Sequence, residues 1–141
     1  MNFEAFFSPW RPHALSILRI MTALLFLEHG TMKLFGFPPS QMSPPLFSLF
    51  GIAGLFELVG GLLLIAGLFT RPVAFILSGE MAVAYFMAHA PSSVFPVLNH
   101  GEAAILFCFV FLYVATAGAG PWSLDHWRTT GNLSAREPAK A

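Results

Sequence analysis

Charge is scarce in this sequence. Lysine, arginine, aspartate and glutamate make up 10% of its 141 residues, against about 25% in an ordinary soluble domain. So short a chain has a large surface for its volume, and these few charges cannot cover a water-facing exterior. With 56% apolar residues, the chain is also too hydrophobic to be disordered. Seven basic residues are balanced by seven acidic ones, so no cationic stripe is available for nucleic acid. Cysteine is nearly absent. A single Cys108 excludes an internal disulfide, a CxxC redox pair and a cysteine zinc cluster. No GxGxxG phosphate loop is present either. What the sequence does have is long apolar runs, and they describe a small integral membrane protein.

A hydrocarbon core of about 30 Å calls for roughly 20 mostly apolar residues per helix. Four segments meet that requirement: 13–35, 46–69, 72–90 and 97–117. Prolines 38, 39, 44 and 45 bracket the first connection, where they favour extended backbone. Thr70-Arg71-Pro72 makes a tight second turn, and Gly118, Gly120 and Pro121 end the fourth helix. Short loops make consecutive helices antiparallel neighbours. The expected fold is all-α, an integral membrane four-helix up-down bundle over 13–118. Residues 1–12 and 119–141 flank it, and the polar tail from Thr129 is expected to be mobile. Arg11 and Arg19 precede the first apolar run as in a signal peptide. Glu28, His29 and Lys33 then follow without a small-residue cleavage pattern, so a retained helix is expected.

Arg11, Arg71, Arg128, Arg136 and Lys140 fall on one side of such a bundle, with Arg19 near them, while Lys33 lies toward the other. The positive-inside rule then puts both termini in the cytoplasm. Trp10, Trp122 and Trp127 fall at the same interface, where an aromatic belt is expected.

The informative residues are charges that a bilayer rejects. Each span carries one glutamate: Glu28, Glu57, Glu80 and Glu102. A carboxylate at the bilayer centre costs about 2.5–3.5 kcal/mol, so all four are expected to face the bundle interior. A purely structural role would rest on interhelical hydrogen bonds worth about 0.6 kcal/mol each. Helical spacing puts Gly54, Glu57 and Gly61 on one face and aligns Glu80 with Ala84, Met87 and Ala88. Thr22, His29 and Lys33 share a stripe, with Glu28 about 100° away. Glu57 and Glu80 lie deepest, while His29, His100 and Glu102 lie in the outer halves. The expectation is a polar, outward-opening pocket. Its candidate catalytic groups are Glu28, His29, Glu57 and Glu80. Its candidate ligand-binding groups are His29, Lys33, Glu57, Glu80, His100 and Glu102. Lys33 either snorkels outward or pairs with Glu28 or Glu102, and Arg19 is expected to snorkel to the cytoplasmic headgroups. Cys108, among phenylalanines, reads as a small apolar filler. Carboxylate-bridged metal sites need Glu-x-x-His pairs on one helical face. Glu28-His29 and His100-Gly101-Glu102 do not supply them, so no metal is expected.

Several segments together resemble the DoxX family of membrane proteins. They are Leu18-Arg19-Ile20 leading to Leu25-Phe26-Leu27-Glu28-His29-Gly30, Lys33-Leu34-Phe35-Gly36, and Glu57 with Gly60-Gly61. Further on come Gly67-Leu68-Phe69-Thr70-Arg71, Glu80, Asn99-His100-Gly101-Glu102 and Gly120-Pro121-Trp122-Ser123-Leu124-Asp125. The resemblance implies a four-helix inner-membrane protein. The family name derives from a subunit linked to a terminal quinol oxidase or a thiosulfate:quinone oxidoreductase. Some related proteins carry paired cysteines for thiol chemistry, which a chain with one cysteine does not share. The function so implied is a subunit of quinone-linked redox or respiratory metabolism, and as an enzyme a quinol or quinone oxidoreductase subunit. Histidine and carboxylate beside an apolar wall suit a quinone headgroup. No haem or flavin motif is visible, so no intrinsic cofactor is expected, and the electron carrier would come from a partner. The expected partners are the lipid bilayer and another membrane protein or a second copy of the chain. Two alternatives stay open: a non-catalytic assembly or scaffold subunit, and a small proton-coupled transporter with Glu57 as the coupling carboxylate.

Overall fold

The computed structural model describes residues 2–39 and 44–134, and these contain helices and no strand. A short helix α1 (Phe3–Phe7) and a 3₁₀ turn (Ser8–Trp10) lead into α2 (Arg11–Phe35). Then come α3 (Leu49–Ala66) and α4 (Thr70–Ala84), the latter extended by a π-helical turn over Tyr85–His89. A single turn α5 (Pro96–Asn99), α6 (Glu102–Ala117) and α7 (Leu124–Ser134) complete the chain. Three helical stretches, those holding α2, α3 and α4, are long and apolar enough to cross a membrane, and α6 is a shorter apolar helix.

The boundaries follow local chemistry. The Ser48 hydroxyl accepts the Gly51 N–H at 3.1 Å and starts α3. Gly67, left-handed at φ 65°, ends it. Its N–H reaches the Leu64 carbonyl at 3.2 Å and that of Leu68 reaches Leu63 at 3.0 Å, as in a Schellman motif. The fourth apolar segment is not one helix. Pro96 opens a turn that His100 closes at φ 57°. The Asn99 side chain takes the Gly101 N–H at 2.8 Å, so α6 begins afresh at Glu102. The tail that begins at Thr129 is helical as far as Ser134, where α7 ends. Its first turn is held by the Ser123 hydroxyl, which accepts the His126 N–H at 3.1 Å. Arg136 and Lys140 lie outside the described residues.

The helices pack chiefly as two antiparallel pairs, α2 with α3 and α4 with α6. Between the pairs lie Ala23, Phe26, Leu64, Ala74, Leu77, Met81, Phe111 and Val114, all buried. Cys108 packs at the edge of this core. Larger apolar side chains, among them Leu55, Phe75 and Phe109, point outward, as suits a bundle whose solvent is lipid. The α2–α3 contact is backbone on backbone. A Cβ added to Gly30 would stand 2.7 Å from the Leu58 nitrogen and 3.0 Å from the Gly54 carbonyl oxygen. Such small-residue seams drive helix association where no hydrophobic effect operates.

The end of the bundle that carries α1 and α7 is tied by three charged side chains. Arg19 is buried (1% exposed), which corrects the expectation that it snorkels to headgroups. It donates to the Leu64 carbonyl, to that of Ile65 at 2.9 Å, to Ala119 at 2.8 Å and to Trp122 at 2.5 Å. A planar fork of donors thus takes up the last carbonyls of α3, which have no partner within the helix. Arg71 does the same for α6, donating to Ala115 at 3.0 Å and Thr116 at 2.5 Å. Asp125 works at the opposite pole of a helix. Its carboxylate accepts the N–H groups of Phe69 at 3.0 Å and Thr70 at 2.8 Å and so caps α4 from 55 residues away. Partial burial pushes this carboxyl up, but the Thr70 and Phe69 N–H bonds and the Arg128 charge outweigh that and hold it below its ordinary value.

Two predictions follow from this packing and capping. Gly30→Ala should destabilise the bundle by about 1–3 kcal/mol by forcing α2 from α3. Gly79→Ala, where a Cβ would meet nothing within 4 Å, should not. Thermal unfolding in detergent measures both. The Asp125 carboxyl is lowered on folding, so its contribution is full above the ordinary carboxylate value and fades as pH falls through the folded one. Asp125→Ala should therefore cost about 1–2 kcal/mol at neutral pH, with the gap to the native chain closing below about pH 4.

Candidate functional site

Toward the opposite end, α2 and α3 bring two opposite charges together. Lys33 Nζ lies 2.5 Å from Glu57 Oε1, with side-chain exposures of 12% and 2%. The sequence left open whether Lys33 snorkels or pairs with Glu28 or Glu102. It pairs with Glu57, one helix over. Gly54 makes this possible, because a Cβ there would stand 2.9 Å from the Lys33 Cβ. With only hydrogen at that position, the lysine stem lies against α3 and its ammonium reaches the carboxylate one turn further on. An ion pair out of water is costly to form and costlier to break, because a lone partner stays stranded.

Glu80 approaches from α4. It lies within electrostatic reach of both Glu57 and Lys33, yet neither of its carboxyl oxygens has a hydrogen-bond partner, and both are buried. Glu57 Oε2 is likewise buried and unpartnered. Three carboxyl oxygens are thus turned inward with no protein donor, around one ammonium group. Buried polar atoms are normally satisfied, so this cluster stands out in a fold whose other buried polar groups are mostly bonded.

The cluster lines a cavity of about 340 Å³ between α3 and α4. Ala84, Met87 and Ala88 line it from the Glu80 face of α4, and Phe50, Phe56 and Ile76 supply an apolar wall. Those three large side chains are themselves exposed on the lipid-facing side. The polar floor is therefore reached past hydrocarbon-facing side chains. In size and in its mix of apolar wall and few polar groups, the cavity matches a small-molecule site.

The other sequence-named residues are placed elsewhere. Glu28 and Glu102 are exposed, which corrects the expectation that all four glutamates face the interior. Glu28 sits on the stripe beside Lys33, about two turns before the end of α2. Glu102 is the first residue of α6, where an acid complements the helix dipole at the interface. His29 is exposed and sets its ring edge-on to Phe107 at 5.8 Å. His100 is exposed at the break before α6. None of His29, His100 and Glu102 lines the cavity. His89 hydrogen-bonds the Asn99 carbonyl through Nδ1 at 3.0 Å and stacks on Tyr85, which ties the π-helical turn to the last loop. Among the described residues, no group of three or more His, Cys, Asp or Glu side chains could hold a metal ion. The apolar wall had no distinguishing signal in the sequence, since Phe50, Phe56 and Ile76 look like any lipid-facing residues.

A family model described as DoxX matches residues 14–90, more than half the chain. An uncharacterised protein of Haemophilus influenzae is 44% identical over 126 residues, covering 83% of this chain and 92% of the relative. No solved structure matches the chain.

The ion pair makes a quantitative expectation. Glu57→Leu alone, which strands the Lys33 ammonium, should destabilise the protein by about 3–5 kcal/mol. Lys33→Met added to it should recover much of that loss. A double-mutant cycle on unfolding should yield a coupling of about 1–3 kcal/mol, and additive losses would mean that the pair is not formed.

Proposed function

This chain belongs to the DoxX family, and we propose that it is a quinone-binding subunit of a redox or respiratory complex in the inner membrane, with both termini in the cytoplasm. The observation that carries the reading is Glu80, a buried carboxyl group with both oxygens unpartnered in a cavity rimmed by lipid-facing apolar side chains. A ligand that satisfies it must arrive from hydrocarbon and bring hydrogen-bonding oxygens. A quinone has both properties, and when bound it supplies two-electron, two-proton chemistry that no side chain here provides.

The residues divide the work accordingly. Lys33 is the donor available to a carbonyl oxygen, and its pairing with Glu57 cancels its charge so that the cavity stays accessible to a neutral headgroup. Glu80 is the group that holds and passes a proton at its carboxyl oxygens, where reduction of a quinone would require one. Phe50, Phe56 and Ile76 exclude water from the headgroup. Electrons come from a partner subunit, since the chain has no haem or flavin motif. The excess of arginine at the α1 and α7 end supports the cytoplasmic placement of the termini.

Titration of the purified protein with a short-chain benzoquinone, read by thermal unfolding, tests this. Saturation at about 100 times the dissociation constant should add roughly 2.7 kcal/mol of stability. Glu80→Leu, which removes the protonated acid that donates to a quinone carbonyl and strands no ion, should weaken binding about five- to tenfold, the worth of one neutral hydrogen bond of about 1–1.5 kcal/mol. Absence of stabilisation in the native chain would overturn the reading. So would equal stabilisation of the Leu variant. Loss of a co-purifying protein from the Leu variant, with no response to quinone, would move the assignment to an assembly subunit.

A further inference from the structure

A second cleft lies at the opposite end of the bundle from the Lys33–Glu57–Glu80 cavity and is independent of it. Its volume is about 960 Å³, and it opens between the starts of α2 and α4, the end of α6 and the first turns of α7. Three arginines line it, Arg11, Arg71 and Arg128, against one acid, Asp125. Asp125 is occupied with the Phe69 and Thr70 N–H groups, so the charge left facing the cleft is positive.

Two of the arginines are held in place before any ligand arrives. Arg71 is anchored through Nη1 to the carbonyls of Ala115 and Thr116. Among the described residues its Nε and Nη2 have no acceptor, and that edge of the fork is left for a ligand. Arg128 sits over the Phe69 ring, 5.7 Å from its centroid. The third, Arg11, faces Glu4 at 3.8 Å in a pair exposed on both sides, which is worth little and is easily exchanged.

Below the arginines the walls become apolar. Leu15, one turn into α2, and Tyr113, one turn before the end of α6, both line the cleft. A helical turn places them about 5–6 Å deeper toward the hydrocarbon than Arg11 and Ala117. A cationic rim at the membrane interface, above an apolar wall that descends along the helices, fits one kind of ligand. It needs a phosphate for the arginines and a chain for the wall.

We propose that this cleft is a binding site for an anionic phospholipid. Its phosphodiester is gripped by Arg71, Arg128 and Arg11, and an acyl chain lies along Leu15 and Tyr113. Bidentate pairing of guanidinium with phosphate supplies the selectivity for the headgroup. Free phosphate shares the headgroup chemistry but has no use for the apolar wall. Basic pockets between membrane helices recognise lipid headgroups in this manner. The bound lipid would bridge α2, α4, α6 and α7 and so join both helix pairs at the end that carries α1 and α7.

The test uses the full chain in a neutral detergent. Phosphatidylglycerol, phosphatidylcholine with the same acyl chains, and inorganic phosphate are each added. Native mass spectrometry reads the lipid adducts, and thermal unfolding reads stabilisation by all three. Phosphatidylglycerol should bind at least tenfold more tightly than phosphatidylcholine, and phosphate at the same concentration should not stabilise. The double variant Arg11→Gln with Arg128→Gln removes two arginines that hold no backbone carbonyl. In detergent alone it should lose no more than about 1 kcal/mol of stability, from the Arg128–Phe69 contact, the Arg128 charge near Asp125 and the exposed Arg11–Glu4 pair, and it should lose about 30-fold in affinity for phosphatidylglycerol. Equal binding of the two lipids would overturn the proposal, as would full affinity in the double variant. Phosphate that stabilises as well as phosphatidylglycerol would make the cleft a small-anion site and overturn the lipid assignment.

Discussion

A charge held inside hydrocarbon must be balanced by groups that the protein itself supplies, and this constraint organises the bundle. Lys33 and Glu57 meet at 2.5 Å across the α2–α3 seam, and the seam is close enough only because Gly30 and Gly54 carry no side chain. Arg19 meets the same demand with dipoles in place of an opposite charge. Its guanidinium gathers four carbonyls from the end of α3 and the chain after α6. Neither charge could be retained if the helices separated, so each fixes the packing around it. Glu80 does not meet the demand from within the chain, since both of its buried carboxyl oxygens lack a partner.

The two ends of the molecule therefore differ in kind. At the α1 and α7 end, Arg19 and Arg71 take up the last carbonyls of α3 and α6, and Asp125 accepts the first N–H groups of α4. Toward the other end, the π-helical turn at Tyr85–His89 and the break at His100 interrupt the regular spans. The cavity opens beside the first of these irregularities, with Met87 and Ala88 of the π-helical turn in its wall. A π-helical turn shifts the register of the residues beyond it, and such turns are frequent at functional sites.

Much of this was legible in the sequence because helical periodicity carries it. Gly54, Glu57 and Gly61 fall on one face by spacing, and all three are buried. Glu80, Ala84, Met87 and Ala88 align by the same rule, and all four line the cavity. What periodicity does not encode is depth and partner. One glutamate per span looks uniform along the chain, yet Glu102 is the first residue of α6 and Glu28 lies on the outward side of α2. The partners of Arg19 are carbonyls, which every residue has, at separations of 45 to 103 positions. No residue type in the sequence announces such a contact. Glu57 as the mate of Lys33 was hidden for a related reason, since pairing across two helices depends on their relative height as well as on their faces.

The claim on which the rest turns is that the Lys33–Glu57–Glu80 cavity holds a lipid-soluble quinone, with Glu80 as its polar contact. The most direct measurement is native mass spectrometry of the protein released from its own membrane, alongside the Glu80→Leu variant prepared in the same way. A quinone-sized mass retained by the native chain and lost from the variant, with phospholipid adducts equal in both, is the expected result. A native chain that carries no quinone, or a variant that retains it, would show that Glu80 does not hold one there.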